Sequence, residues 1–167
     1  PSNPPTRRMN NFGPSIRRHR SSGAHSTPWS FIAAVEAKFG SLSVDLAASK
    51  ENAKAPFYYT KENNALESRW CDLLGNLWIN PPFADITPWA AKCAAEGKLG
   101  AKILLLVPAS VGANWFVEHV HRQACVYFLQ GRISFDGVSP YPKDLILCAY
   151  GQPPGYEVWK WSEDVPI

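Results

Sequence analysis

The sequence predicts an α/β protein built on a mostly parallel sheet. Short apolar runs typical of buried strands alternate with stretches whose apolar residues recur at helical spacing. The last two apolar runs, 124–129 and 145–150, have no helical stretch between them, so we expect the later one to be antiparallel. A chain of 167 residues that is 46% hydrophobic and 19% charged has the length and composition of one globular domain. We place that domain at residues 26–167.

The first half of the domain begins with a helix over 30–39. Thr27 is suited to be its N-cap and Pro28 its first helical residue. Its apolar side is predicted to comprise Trp29, Ile32, Ala33, Val35 and Phe39. A short strand over 42–45 then ends in the carboxylate of Asp45. The aromatic run 57–60 is typical of a further extended segment.

The second half repeats this alternation. The run 77–79 reads as a short buried strand, and a helix is expected over 85–97. The aliphatic run 101–107 is the clearest buried strand of the chain and is stopped by Pro108. A helix over 114–123 follows. The strands 124–129 and 145–150 complete the predicted sheet.

The most distinctive stretch is the tetrapeptide Asn80-Pro81-Pro82-Phe83, which follows the strand 77–79. Asn-Pro is a turn signal, and open α/β sheets bind ligands beyond the carboxyl ends of their strands. Two prolines remove two N–H donors, so this turn offers acceptors and an aromatic ring. The Asn80 oxygen and a proline carbonyl can hold the two hydrogens of one exocyclic amine, while Phe83 stacks on the ring that carries it. The alternative is a proline-rich turn that only closes the strand.

The net charge of +3 is unevenly distributed. Residues 1–25 contain no acidic residue and form a basic N-terminal arm that we expect to be flexible. Its basic residues are Arg7, Arg8, Arg17, Arg18 and Arg20. Such an arm either contacts DNA phosphates or is a solvated tail.

The four cysteines are scattered, without a Cys-x-x-Cys pair, so we expect reduced thiols and no cysteine metal site. No apolar stretch is long enough to cross a membrane, and the N-terminus lacks an apolar signal core. These features predict a cytoplasmic location.

A series of short motifs between about residues 26 and 150 resembles the phage-type (Dam-like) DNA N6-adenine methyltransferases. The motifs, in chain order, are Thr27-Pro28-Trp29, Val44-Asp45-Leu46-Ala47-Ala48, Asn52-Ala53-Lys54, Tyr59-Thr60, Asn64-Ala65-Leu66, Trp78-Ile79-Asn80-Pro81-Pro82-Phe83, Leu104 to Ser110, Trp115-Phe116 and Gly131-Arg132-Ile133-Ser134-Phe135. The resemblance implies a Rossmann-like methyltransferase fold that uses S-adenosylmethionine, with a mostly parallel sheet and an antiparallel last strand. It also implies a phage- or prophage-encoded enzyme in a bacterial host cell.

The implied reaction is methyl transfer to adenine N6 of a base flipped out of double-stranded DNA, with no metal. The implied catalytic residues are Asn80, Pro81, Pro82 and Phe83. The implied cofactor-binding residues are Thr27, Pro28, Asp45, Ala47 and Asn64. A carboxylate suits the cofactor's ammonium group and a helix N-terminus suits its carboxylate, whereas Asp45 as a cap of the next turn and Thr27 as a plain N-cap are the alternatives.

The chain departs from the family pattern at three places. Ala47 and Ala48 stand where a glycine-rich turn is common, Asn63 and Asn64 replace acidic residues, and Phe83 replaces the more common tyrosine. Methylation of RNA adenine or of a protein glutamine, and a non-catalytic nucleic-acid-binding domain of the same fold, are the alternative functions. The recognition sequence and the oligomeric state stay open.

Overall fold

The computed structural model describes residues 26–167, and the predicted N-terminal arm lies outside the described residues. One seven-stranded sheet forms the centre of this part of the chain. Its strands are β1 Leu42–Asp45, β2 Phe57–Tyr58, β3 Asn76–Ile79, β4 Lys102–Pro108, β5 Cys125–Leu129, β6 Leu145–Tyr150 and β7 Gly155–Trp159. The helices are α1 Trp29–Phe39, α2 Thr87–Lys98 and α3 Asn114–His119, with 3-10 turns at Ala65–Glu67 and Trp161–Asp164.

The strand order is β2-β1-β3-β4-β6-β5-β7. β6 runs antiparallel to both of its neighbours, β4 and β5, while the other pairs are parallel. The predicted α/β class and the antiparallel strand at 145–150 are therefore confirmed, and the arrangement is consistent with a Rossmann-like methyltransferase fold. β7, which pairs with β5 at the sheet edge, was not predicted; its central residues 156–158 are exposed and lack an apolar run.

The strand order reverses direction between β1 and β3. The chain passes from β1 outward to β2, returns to β3 beside β1, and continues to β4 on the other side. Asp45 ends β1 and is paired with Trp78, two residues before Asn80. The carboxyl ends of β1 and β3 therefore meet at the topological switch point, where open α/β sheets bind ligands.

The sheet is covered on both faces, which explains the continuous aliphatic run of β4. Ile103 and Leu105 pack in a core layer with Ala90 and Cys93 of α2. Leu104 and Leu106 point to the opposite layer, which contains buried residues of α1. Strands buried on both sides lose the usual alternation of apolar and polar residues.

Three local predictions were wrong. Helix α1 has Pro28 at its N-cap with no side-chain cap, so Thr27 is not the cap. Trp29 is 61% exposed, and the side of α1 that packs on the sheet is formed by Phe31, Ile32, Ala34 and Val35. The third helix ends at His119 instead of extending to 123, because the chain turns through residues 120–123 to enter β5.

The four cysteines are free thiols; Cys71 is half-buried and the other three are buried. No helix within residues 26–167 is both long and apolar enough to cross a membrane.

Candidate active site

Asn80 follows β3 and is held from the opposite direction by Thr27. The Asn80 Nδ2 group donates a hydrogen bond of 2.9 Å to Thr27 Oγ1. Thr27 is only 1% exposed, and its hydroxyl serves this contact instead of capping α1. Because a carboxamide carries its oxygen opposite its amino group, this bond fixes the direction in which Asn80 Oδ1 points.

The proline pair shapes the turn after Asn80. The Pro82 carbonyl accepts the N–H of Asp85 at 3.1 Å, which closes a turn before α2 begins at Thr87. The carbonyl of Pro82 is thus engaged within the loop, and Pro81 is buried. Neither proline can donate a backbone hydrogen bond. The role of this turn as an acceptor for a ligand amine stays a prediction.

Asp45 is buried and caps the segment that follows β1. Its Oδ1 accepts the Ala47 N–H at 3.2 Å and its Oδ2 accepts the Lys54 N–H at 3.0 Å. Burial raises the pKa of Asp45 from 3.8 to about 6, against the opposing effect of those two N–H groups and of the Lys54 charge. The capping alternative for Asp45 is therefore correct as a structural role. A carboxylate has about four acceptor positions, so capping leaves room for a ligand contact.

Lys54 belongs to the same cluster. Its ammonium group donates to Ser26 Oγ at 3.0 Å and lies 4.2 Å from the centroid of the Trp29 ring. Burial lowers the pKa of Lys54, and the negative charge of Asp45 partly offsets this effect. The side chain thereby joins the start of α1 to the loop after β1.

Two adjoining cavities open at this edge of the sheet. The larger one has a volume of about 640 Å³ and is lined by residues 46–52, Thr60, Lys61, Glu62, Asn64, Ala65, Asn80, Pro82 and Trp89. The smaller one, of about 20 Å³, is lined by Ser26, Thr27, Asp45, Ala47, Asn52, Lys54, Trp78 and Asn80. Asn80, Ala47 and Asn52 line both. The larger volume lies within the roughly 300–1,000 Å³ typical of small-molecule sites.

The two cavities bring together most of the predicted site residues. Ala47, Asn64, Asn80 and Pro82 line the large cavity, while Thr27 and Asp45 line the small one. Asn64 also accepts the Leu66 N–H at 3.2 Å, which starts the 3-10 turn there. Pro28, Pro81 and Phe83, which also lie within residues 26–167, line neither cavity.

Phe83 lies in a cluster of three aromatic rings instead. Its ring centroid is 6.1 Å from that of Phe135 and 5.6 Å from that of Tyr141, and both contacts are edge-to-face. Phe135 and Tyr141 are themselves 5.5 Å apart. The rings of Phe135 and Tyr141 therefore hold the orientation of Phe83.

Sequence reasoning assigned no role in the site to Lys54, Asn52, Trp89 or Tyr141. Asn52 and Lys54 belong to the motif Asn52-Ala53-Lys54, and this family motif was the sequence signal that could have identified them as site residues. Trp89 matched the apolar period of α2, and this periodicity concealed its place in the cavity wall. Tyr141 lies outside the motifs, and its loop is distant from Phe83 in the sequence although the two rings are in contact in the fold. Within residues 26–167, no cluster of three or more histidine, cysteine or acidic side chains could hold a metal ion.

Comparison with known proteins identifies related sequences. Residues 17–145 match the family model described as DNA N-6-adenine-methyltransferase (Dam). The DNA N-6-adenine-methyltransferase of Escherichia phage T1 is 30% identical over 111 residues, which cover 66% of this chain and 46% of the phage protein. The "Putative methyltransferase YfdM" of Escherichia coli (strain K12) is 36% identical over 67 residues, which cover 38% of this chain and 69% of that protein. The chain thus spans about half the length of the phage T1 relative.

Proposed function

This chain belongs to the DNA N-6-adenine-methyltransferase (Dam) family, and we propose that it transfers a methyl group from S-adenosylmethionine to adenine N6 in DNA. The observation that carries this proposal is the orientation of Asn80 at the switch point of the sheet. Its amino group is held by Thr27, and it lines a cavity large enough for a ligand. An oriented acceptor beside a donor-poor proline turn suits the capture of an exocyclic amine.

In this proposal, Asn80 and Pro81 hold the amine of the target base. Asn80 Oδ1 and the Pro81 carbonyl each accept one of its two hydrogens, which localises the nitrogen lone pair. Adenine in a duplex is inaccessible, so the base is flipped out at a cost of about a few kcal/mol. Phe83 stacks on the extruded ring, and its edge-to-face neighbours Phe135 and Tyr141 keep it in place.

The residues beside the turn fit the cofactor. S-adenosylmethionine supplies an electrophilic methyl group on a sulfonium centre. We assign its adenosine portion to the large cavity, where Ala47, Asn52 and Asn64 provide apolar and polar lining. Asp45, in the adjoining cavity, provides a carboxylate for an ammonium group. Thr27 contributes to the reaction by accepting the hydrogen bond that orients Asn80. Pro28 contributes indirectly, as the N-cap residue at which α1 starts.

Labelled S-adenosylmethionine offered with unmethylated DNA, RNA and protein tests the proposal. We expect label in DNA, recovered as N6-methyladenine after nucleoside analysis. Label in RNA adenine or in protein glutamine would show that the methyl acceptor is RNA or protein and not DNA. Cofactor binding without any transfer, or no cofactor binding at all, would indicate a non-catalytic domain.

The two asparagines at opposite ends of β3 give a matched control: one begins the strand and the other follows it. Asn80 follows the carboxyl end of β3, whereas Asn76 begins β3 and donates from its side chain to the Phe39 carbonyl at 3.0 Å. Asn76→Ala should lower the melting temperature and leave the specific activity of the folded protein unchanged. Asn80→Ala should abolish most of that activity. Equal activity in both variants would remove Asn80 from the mechanism.

A further inference from the structure

We propose that Phe135 and Tyr141 are positioning residues that set the ring of Phe83 for the target base. This inference rests on the proposed function, since it needs a base that stacks on Phe83. It assigns a role to the loop 131–144, which joins β5 to β6 and contributes to neither cavity at the Asn80 turn.

The sheet topology places this loop beside Asn80. β5 runs in the same direction as β3, so it ends at the edge where Asn80 lies. β6 is antiparallel and therefore starts at that edge. The Asp144 carbonyl accepts the Ala109 N–H at 2.9 Å, which ties the end of the loop to the carboxyl end of β4.

Hydrogen bonds and one ion pair constrain the loop. Gly131 leaves β5 with a φ of +96°, a conformation that favours glycine, and its carbonyl accepts the Trp161 Nε1–H at 3.0 Å. The Tyr141 N–H donates to the Ile133 carbonyl at 2.7 Å, and Ile133 is buried in the core. Arg132 donates to the Tyr141 carbonyl at 3.2 Å and forms an ion pair of 3.5 Å with Asp144.

The tip of the loop is closed by Asp136. Its Oδ1 accepts the N–H groups of Val138 and Ser139, both at 2.8 Å, and the hydroxyl of Ser134 at 3.1 Å. These hydrogen bonds hold the pKa of Asp136 below its usual value. The backbone on both sides of the aromatic pair is therefore constrained, which is what positioning a third ring requires.

The ring geometry connects the loop to the Asn80 turn. Phe135 and Tyr141 meet Phe83 at interplanar angles of 75° and 68°, and meet each other at 83°. Because edge-to-face packing is favourable only over a limited range of ring angles, two such neighbours limit the tilt of the Phe83 ring. A base that stacks on Phe83 lies parallel to its ring, so the tilt of the ring determines whether the amine of the base reaches Asn80.

The test uses the full chain with the single variants Phe135→Leu and Tyr141→Leu. Tyr141→Phe keeps the ring and is the conservative control, and Val138→Ala, at a residue that is 87% exposed in the same loop, controls for general change there. We expect each leucine variant, which removes one aromatic neighbour of Phe83, to lower kcat roughly 3- to 10-fold with KM for the cofactor unchanged. Tyr141→Phe and Val138→Ala should keep the wild-type kcat.

A double-mutant cycle separates positioning from general stability. If Tyr141 acts through Phe83, then adding Tyr141→Leu to Phe83→Leu should lower kcat no further. Fluorescence of 2-aminopurine, placed at the adenine that the wild type methylates, should show reduced ordering of the flipped base in Tyr141→Leu. A wild-type kcat in both leucine variants, or losses that multiply in the double variant, would overturn the inference. If a leucine variant fails to fold, the cycle is repeated with methionine at that position. A wild-type chain that methylates no adenine would instead refute the proposed function.

Discussion

Replacing Thr27 by valine should impair catalysis by releasing the carboxamide of Asn80. Valine keeps the shape of threonine and puts a methyl group in place of the hydroxyl that accepts the 2.9 Å hydrogen bond from Asn80 Nδ2. A buried hydrogen bond contributes about 0.5–1.5 kcal/mol, and about 1–3 kcal/mol where a buried group loses its partner. If that energy holds Asn80 in its reactive orientation, kcat should fall roughly 5- to 150-fold. The loss should not exceed the roughly 10²- to 10³-fold expected for removing one preorganised hydrogen-bonding group outright.

The assay measures kcat, the cofactor dissociation constant and the melting temperature on the same preparations. Thr27→Ser keeps the hydroxyl and should retain nearly full kcat. The melting temperature of Thr27→Val should fall by about 2–4 °C for each kcal/mol of stability that is removed from a chain of this size. A folded Thr27→Val protein with wild-type kcat would refute the argument that Thr27 orients Asn80. A loss of cofactor binding with unchanged kcat at saturation would instead return Thr27 to the direct cofactor contact predicted from the sequence.

Three further predictions concern Asn80, Asp45 and the N-terminal arm. Asn80→Ala should lower kcat roughly 10²- to 10³-fold and change KM much less, as measured by steady-state methylation; a reduced melting temperature with normal kcat would mean that the turn is only structural. Burial raises the pKa of Asp45 to about 6, so affinity for the demethylated cofactor should decrease by about tenfold per pH unit below 6 as the carboxylate is protonated. Calorimetry across that range should give a flat profile for Asp45→Asn, and a flat wild-type profile would remove Asp45 from the site. Deleting residues 1–24 should reduce the salt dependence of DNA binding by about 0.9 in log–log slope for each phosphate that the arm neutralises, and an unaltered slope would identify the arm as a tail.

The fold could be predicted well where one physical signal dominated. β4 after Lys102 and the strand 145–150 are apolar throughout because both sheet faces are covered, and such runs permit few other structures. β7 could not be predicted because it is an edge strand whose central residues are exposed. The end of α3 was misjudged because the chain turns after His119 to enter β5, a tertiary requirement that overrides helical propensity.

The candidate site could be predicted only as separate pieces. The sequence shows Asn80 after a strand and Asp45 after another, and the parallel topology makes them neighbours. It does not show that Thr27, 53 positions away from Asn80, uses its hydroxyl on the Asn80 amide. A threonine before a proline reads as an N-cap in any chain, and only the packing of α1 against β3 reveals the other partner. The same applies to Tyr141, whose ring reaches Phe83 across the sheet edge.

Asp45 caps the segment after β1, and this capping is coupled to the ligand contact that we propose for the same carboxylate. Its carboxylate fixes the segment from Ala47 to Lys54 through two N–H groups, yet burial still leaves its pKa near 6. Because the folded pKa lies above 3.8, the carboxyl contributes most to stability below about pH 4, and this contribution is lost as the pH rises to 6. Ionising Asp45 at neutral pH therefore costs the fold about 3 kcal/mol, because burial raises its pKa from 3.8 to about 6. A cationic ligand group beside Asp45 would recover part of that energy, so binding and ordering of this segment should reinforce each other.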